Sequence, residues 1–251
     1  MGCREEDLRA SYGRGRRLIK KYKGLAFSQP FFSKGRKMKK YGYVIWDFNG
    51  TLLDDVETGI WAVNTLLEER GLATIESVEH YRRVFRFPII EYYRGLGFDF
   101  ERESYEEIAP KWVALYLERV KSAKLYDDVV DSLKAIKEKG IIQTVLSATE
   151  RGMLIRQLDD LGIRAYFDET LGLDNIHAGS KLSLAYDWRE RHSDANVLLI
   201  GDTDHDVETA NALGADCALV CRGHQSREHL LSTGAKVYNS LEELLSMIEG
   251  L

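Results

Sequence analysis

The stretch Val44-Ile45-Trp46-Asp47-Phe48-Asn49-Gly50-Thr51-Leu52-Leu53-Asp54-Asp55 constrains this chain more than any other. An apolar run from Tyr43 to Trp46 stops abruptly at a carboxylate and a glycine-containing turn. One reading is a β-hairpin, because Asn-Gly between apolar runs is a strong short hairpin signal. The other is a buried parallel strand, whose carboxyl end would present Asp47 at the crevice where ligands sit in an open α/β sheet. This stretch alone leaves both open, and the rest of the chain decides between them.

From Asp54 to about Lys124 the strand signals vanish and helical periodicity takes over. Ile60, Val63, Leu66 and Leu67 mark one helix and Val78, Tyr81 and Val84 a second. Ile89, Tyr92 and Tyr93 mark a third behind Pro88, and Trp112, Leu115, Tyr116 and Val120 a fourth. Beyond this insert, strands alternate with helices. Ile141 to Leu146, Glu169 to Leu173, Val197 to Ile200, Ala218 to Val220 and Lys236 to Tyr238 read as strands. Helical patterns close on Gly140, Gly162 and Gly214, and a last helix runs from Leu241 to Ile248. Alternation of this kind predicts an α/β fold, a doubly wound parallel sheet with an inserted all-helical cap domain. The boundaries are a basic extension over 1–40, an α/β core over 41–56 and 125–251, and a helical cap over 57–124.

In a parallel sheet the residues just past each strand meet at one edge. Here they are Asp47 and Asn49, Ser147, Lys181 on a neighbouring loop, and Asp202 with Asp206. A carboxylate nucleophile, a hydroxyl, an ammonium and an acidic pair suit a phosphoryl group and a hard divalent cation such as Mg²⁺, which prefers oxygen ligands. Taken singly, each has a plainer role: Ser147 as a helix N-cap, Lys181 on the surface, His205 as an exposed neighbour. Asp202, Asp204 and Asp206 have the spacing of an EF-hand start, but Val207 and Leu213 replace its required Gly and Glu, which excludes calcium there. The chain has no Gly-x-x-x-x-Gly-Lys-Ser/Thr phosphate loop, and Gly95-Leu96-Gly97 lacks the third glycine of a dinucleotide fingerprint.

The order of these residues resembles a known family. Asp-Phe-Asn-Gly-Thr-Leu at 47 to 52, Ser147 after an apolar strand, Lys181, and Gly-Asp-Thr-Asp-His-Asp at 201 to 206 are similar to the four motifs of the haloacid dehalogenase superfamily. With a helical insert after the first motif, the chain looks most like the phosphoglycolate-phosphatase-like branch. The resemblance implies a Mg²⁺-dependent phosphatase that hydrolyses a small phosphorylated metabolite. Asp47 would attack phosphorus, and Asp47, the carbonyl of Asn49, Asp202 and Asp206 would hold or surround the metal. Ser147 and Lys181 would orient the phosphoryl oxygens. Thr51, and Arg83, Arg86 and Tyr92 of the cap, are candidates for substrate binding; for any one of these three cap residues a solvated helix face is the plainer reading.

One departure stands out: the family's phosphatases usually carry a second Asp where this chain has Asn49. An amide cannot carry the proton that the leaving group needs. Turnover is therefore expected to favour acidic leaving groups, and Asn49→Asp to raise the turnover of alkyl phosphates. The same residue supports a second reading, a metal- and phosphate-binding protein without turnover. Dehalogenase chemistry needs no metal, so Asp202 and Asp206 count against it. Phosphonate hydrolysis would need a Schiff-base lysine in the cap, and none is identifiable.

Charge and cysteine content bound the remaining classes. Residues 1–40 hold thirteen Lys or Arg and three acidic residues, a net of +10, which leaves −15 on the rest of a chain of formal charge −5. Met38 precedes the first core strand and looks like a natural start, so residues 1–37 read as an upstream extension, as a basic arm for nucleic acid, or as a targeting peptide. Glu6 excludes myristoylation. No apolar run approaches a membrane span and residues 1–30 lack a signal core, which predicts a cytoplasmic protein. Cys217 and Cys221 are expected as reduced, buried, structural residues in a strand.

Overall fold

The computed structural model describes residues 41–174 and 181–249. The expected basic extension, and the Gly179-Ser180 approach to Lys181, lie outside them. Among the described residues one sheet has six strands, β1 (Tyr43–Trp46), β4 (Ile142–Glu150), β5 (Glu169–Leu173), β6 (Val197–Gly201), β7 (Asp216–Val220) and β8 (Lys236–Tyr238). Their order is β5-β4-β1-β6-β7-β8. Every neighbouring pair is parallel. The hairpin alternative is thereby excluded: β1 pairs with β4 and β6, not with the segment that follows Asn49-Gly50.

Because β1 sits between two strands and is covered on both faces, its side chains cannot alternate with polar ones. Val44 and Trp46 join one apolar cluster with Phe48, Leu133, Val145, Leu158 and Ile200. Ile45 joins the other, with Leu146, Trp188, Leu199 and Leu213. Each such fully buried side chain contributes roughly 1.5–3 kcal/mol. The indole of Trp46 needs a polar partner and finds it at 2.9 Å in Gln143 Oε1.

The segment between core elements folds as α1 (Val56–Glu69), α2 (Val78–Val84), α3 (Ile89–Gly95) and α4 (Tyr105–Arg119). Together they bury a separate cluster that includes Val63, Leu67, Tyr81, Tyr92, Tyr93, Phe98 and Ile108. The insert leaves and re-enters the core through a two-residue antiparallel ribbon, β2 (Leu53–Asp54) against β3 (Lys124–Leu125). These strands are too short to leave a periodic signal. The sheet is completed by α5 (Val129–Glu138), α6 (Arg151–Asp160), α7 (Lys181–Arg191), α8 (Asp204–Leu213), α9 (Arg227–Ser232) and α10 (Leu241–Glu249). No helix among the described residues is long and apolar enough to cross a membrane.

Two local expectations change. β4 does not stop at Ser147 but runs to Glu150, with a register irregularity between Leu146 and Glu150. Ser147 is consequently not a helix cap; Glu150 caps α6, accepting from Gly152 N and Met153 N. Cys217 and Cys221 are free and only half-buried, so they are not the fully buried residues expected.

Candidate active site

Strand register assembles the site. Trp46 pairs with Val145 on one side and Ile200 on the other. Asp47 therefore emerges beside the end of β6 and the irregular stretch of β4, with Ser147 two residues beyond Val145 and Asp202 two beyond Ile200. Carboxylate oxygens of Asp47, Asp202 and Asp206 all lie within 4.8 Å of one another. All three residues are buried, as is Lys181.

Lys181 Nζ donates to Asp47 Oδ1 and to Asp206 Oδ1, each at 2.5 Å. The hydroxyl of Thr51 lies 3.2 Å from Asp47 Oδ2 and 2.9 Å from Asp202 Oδ1. Asp206 Oδ2 accepts from Asp202 N at 3.1 Å, Thr203 N at 3.0 Å and Thr203 Oγ1 at 2.7 Å. The bond from Thr203 N is one half of the capping box at the start of α8. Asp206 thus has a structural task, orienting Lys181 and the β6–α8 turn, while Asp47 and Asp202 are less fully occupied.

Three carboxylates against one ammonium leave a surplus of buried negative charge. Burial pushes the pKa of Asp47 well above the usual carboxylate range, against the pull of Lys181, and Asp206 and Asp202 add to the rise. Burial raises Asp202 as well. For Asp206 the ammonium of Lys181 overcomes burial and lowers the pKa. Burial also opposes the charge of Lys181, but Asp206 and Asp47 outweigh it and hold that charge firmly. Buried charges need compensation, and an all-oxygen donor set with surplus negative charge suits a hard divalent cation.

Backbone geometry leaves no room for larger residues. Gly50 sits at φ +73°, and a Cβ there would lie 2.4 Å from Asp202 Oδ2. A Cβ on Gly223 would lie 2.0 Å from the same oxygen. Gly223 opens a stretch, Gly223-His224-Gln225, that sequence reasoning missed. His224 N donates to Asp202 Oδ2 at 2.7 Å, and its imidazole lies 3.4 Å from Asp55 Oδ1 and 2.9 Å from the Tyr81 hydroxyl. Burial disfavours the imidazolium, but Asp55, Asp202 and Asp47 outweigh it and push the His224 pKa up to about 9.

Asn49 is surrounded by polar groups. Its Nδ2 donates to Asp55 Oδ2 at 2.9 Å and to the Tyr116 hydroxyl at 2.7 Å. Its Oδ1 accepts from Thr149 Oγ1 at 3.1 Å, with Ser147 Oγ at 3.4 Å. Of the candidate residues, then, Asp47, Asn49, Thr51, Ser147, Lys181, Asp202 and Asp206 come together. The three from the insert do not join them: Arg83 and Arg86 are exposed, and Tyr92 is buried in the insert's own cluster with a hydroxyl that has no hydrogen-bond partner. The arginine that reaches the core is Arg82, which donates from Nε to Gly223 O at 2.9 Å and from Nη2 to Arg222 O at 2.5 Å. His205 is not an exposed neighbour; it is half-buried, with the Phe87 ring 4.9 Å away.

Comparison with known proteins agrees with this geometry. The model of the haloacid dehalogenase-like hydrolase family matches residues 44–220. Phosphoglycolate phosphatase 1 of Pseudomonas aeruginosa is 25% identical over 80% of this chain and 75% of its own length. The phosphoglycolate phosphatase of Aquifex aeolicus is 29% identical over 72% of this chain and 85% of its own. In fold, the chain is similar to a haloacid dehalogenase-like hydrolase of Streptococcus pneumoniae, with a TM-score of 0.71 over 84% of this chain and 99% of that one at 18% identity. A family match from β1 to β7, with all four motif positions gathered at the carboxyl edge of the sheet, leads to one conclusion: the chain belongs to the haloacid dehalogenase-like hydrolase family, among its phosphoglycolate-phosphatase-like members.

Proposed function

We propose that this protein is a Mg²⁺-dependent phosphatase that hydrolyses a small phosphorylated metabolite through an aspartyl-phosphate on Asp47. The observation that carries the reading is the pairing of buried Asp47 with Lys181 at 2.5 Å, inside a cluster with Asp202 and Asp206 at the end of β1. The phosphatase names of the relatives support the same chemistry.

In this reading an oxygen of Asp47 attacks phosphorus, the ester oxygen leaves with its electron pair, and water then attacks the phosphorus of the acyl phosphate and frees the carboxylate. Covalent catalysis divides one difficult hydrolysis into two displacements. Lys181 and Ser147 hold the non-bridging oxygens, and Thr51 fixes the second oxygen of Asp47 and turns Asp202 toward it. Asp47, Asp202 and the carbonyl of Asn49 are the groups that would hold Mg²⁺, with Asp206 in or next to the ligand set. When bound, the ion supplies positive charge against the phosphoryl oxygens. Asn49 supplies no proton, so the ester oxygen departs as an anion or takes a proton from solvent. The helical cap, residues 57–124, covers the leaving group.

The position of Asn49 favours one alternative, a protein that binds Mg²⁺ and phosphate without turnover. A panel of phosphorylated metabolites and aryl phosphates, assayed with and without Mg²⁺, separates the two. Metal-dependent release of phosphate supports the phosphatase, and tight phosphate binding with no release supports the alternative.

A further inference from the structure

We propose that Asn49 is a positioning residue whose carboxamide ties the helical insert to the catalytic loop, so that this position holds the insert in place instead of carrying a proton. The catalytic consequence rests on the phosphatase reading, whereas the structural link does not. The argument begins with polarity. Asn49 Nδ2 donates into a pair of oxygens, Asp55 Oδ2 at 2.9 Å and the Tyr116 oxygen at 2.7 Å, which lie 2.6 Å apart and so share one amide hydrogen. The Tyr116 hydroxyl is free to accept because its own proton goes to Asp55 Oδ2 at 2.6 Å. On the other side, Asn49 Oδ1 accepts from Thr149. Each face of the amide therefore finds its complement, and three side chains close a small ring of hydrogen bonds.

Both ends of that ring are fixed independently. Asp55 is 2% exposed and cannot turn away, since Oδ1 accepts from Gly50 N at 2.8 Å and faces His224. Tyr116 belongs to α4 and stacks on Trp112 with ring centroids 5.0 Å apart and planes at 16°. Through this ring the first catalytic turn is joined to the insert's longest helix, 67 residues away in sequence. A carboxylate at position 49 has nearly the same shape and the opposite polarity. It would place two acidic groups in contact where a donor and an acceptor now meet, and it would leave the Tyr116 oxygen without a donor. The surroundings of position 49 are built for an amide.

The experiment compares the wild type with Asn49→Asp, Tyr116→Phe, the double variant of these two, and the exchanged pair Asn49→Asp with Asp55→Asn. Amide hydrogen exchange of α4 is followed without substrate, and kcat and KM are measured with 4-nitrophenyl phosphate and Mg²⁺. Local opening is read directly by exchange. A hydrogen bond to a charged partner sets the scale at about tenfold. Asn49→Asp and Tyr116→Phe are each expected to raise exchange in α4 by about tenfold, without change in α5. The double variant should be little worse than the worse single one, because both remove the same link. The exchanged pair should recover most of the protection, because donor and acceptor have traded places. In Tyr116→Phe, KM should move more than kcat. Wild-type exchange in Asn49→Asp, additive effects in the double variant, or an exchanged pair no better than Asn49→Asp alone would each overturn the proposal. Should Asn49→Asp fail to fold, the exchanged pair and Tyr116→Phe decide: an unfolded exchanged pair, or wild-type exchange in Tyr116→Phe, counts against it. Absence of turnover in the wild type would count against the phosphatase reading only, because exchange is read without turnover.

Discussion

At the level of single residues, the site was legible wherever a chemistry-bearing side chain ends a buried run. Asp47, Ser147 and Asp202 follow the apolar segments that became β1, β4 and β6, and register then placed them together. Asp55, Tyr116 and His224 left no such signal, because their partners are brought to them only by folding. Asp47→Asn removes the proposed nucleophile and is expected to abolish metal-dependent phosphate release from the purified, folded protein; retained turnover would contradict the covalent mechanism. Gly223→Ala should also lose turnover, by about 10²-fold or more, since its Cβ would occupy the space of Asp202 Oδ2 and small misplacements of catalytic groups are costly. For Asn49, the missing proton carrier predicts that aryl and acyl phosphates are cleaved about 10²–10⁴-fold faster than alkyl phosphates by this route. The closeness of Asp55 adds a condition to the expectation for Asn49→Asp: a gain on alkyl phosphates should emerge in the exchanged pair with Asp55→Asn more than in the single variant. Asn-Gly sequences deamidate, so mass spectrometry of the peptide with Asn49 belongs with these assays.

At the level of elements, the alternation of strands and helices after residue 125 was readable because buried parallel strands are continuous apolar runs. What periodicity could not give was how the insert meets the core. That contact rests on α2 and the residues after β7: Arg82 donates to the carbonyls of Gly223 and Arg222, Ser226 N donates back to Arg82 O at 3.1 Å, and Tyr81 meets His224. The expected substrate arginines are exposed, Arg83 on the outer side of α2 and Arg86 beyond its end, whereas Arg82 faces inward. Arg82→Ala, which removes two charge-assisted hydrogen bonds, is expected to speed hydrogen exchange in α2 and in residues 221–226 by at least about tenfold, the scale of one such bond, with α5 and β4 unchanged. Uniform exchange across the chain would show that Arg82 does not hold these elements together.

For the whole molecule, two apolar clusters on the faces of one sheet and a third inside the insert account for the architecture, and a buried surplus of negative charge marks where that architecture meets its chemistry. Mg²⁺ should therefore stabilise the folded chain. At 100 times its dissociation constant the gain would be about 2.7 kcal/mol, read as a rise in melting temperature over an EDTA-treated sample and lost in Asp202→Ala. The fold was legible because it is set by residue pattern, whereas the link between insert and core depends on single polar contacts that pattern does not encode. The central claim is that Asp47 becomes phosphorylated during turnover. Acid quenching of wild-type protein during turnover of an aryl phosphate with Mg²⁺, followed by peptide mass spectrometry, tests it most directly. The account predicts one phosphoryl group on the peptide carrying Asp47, absent without Mg²⁺ and absent in Asp47→Asn; rapid phosphate release with no adduct on Asp47, or with an adduct on another residue, would contradict it.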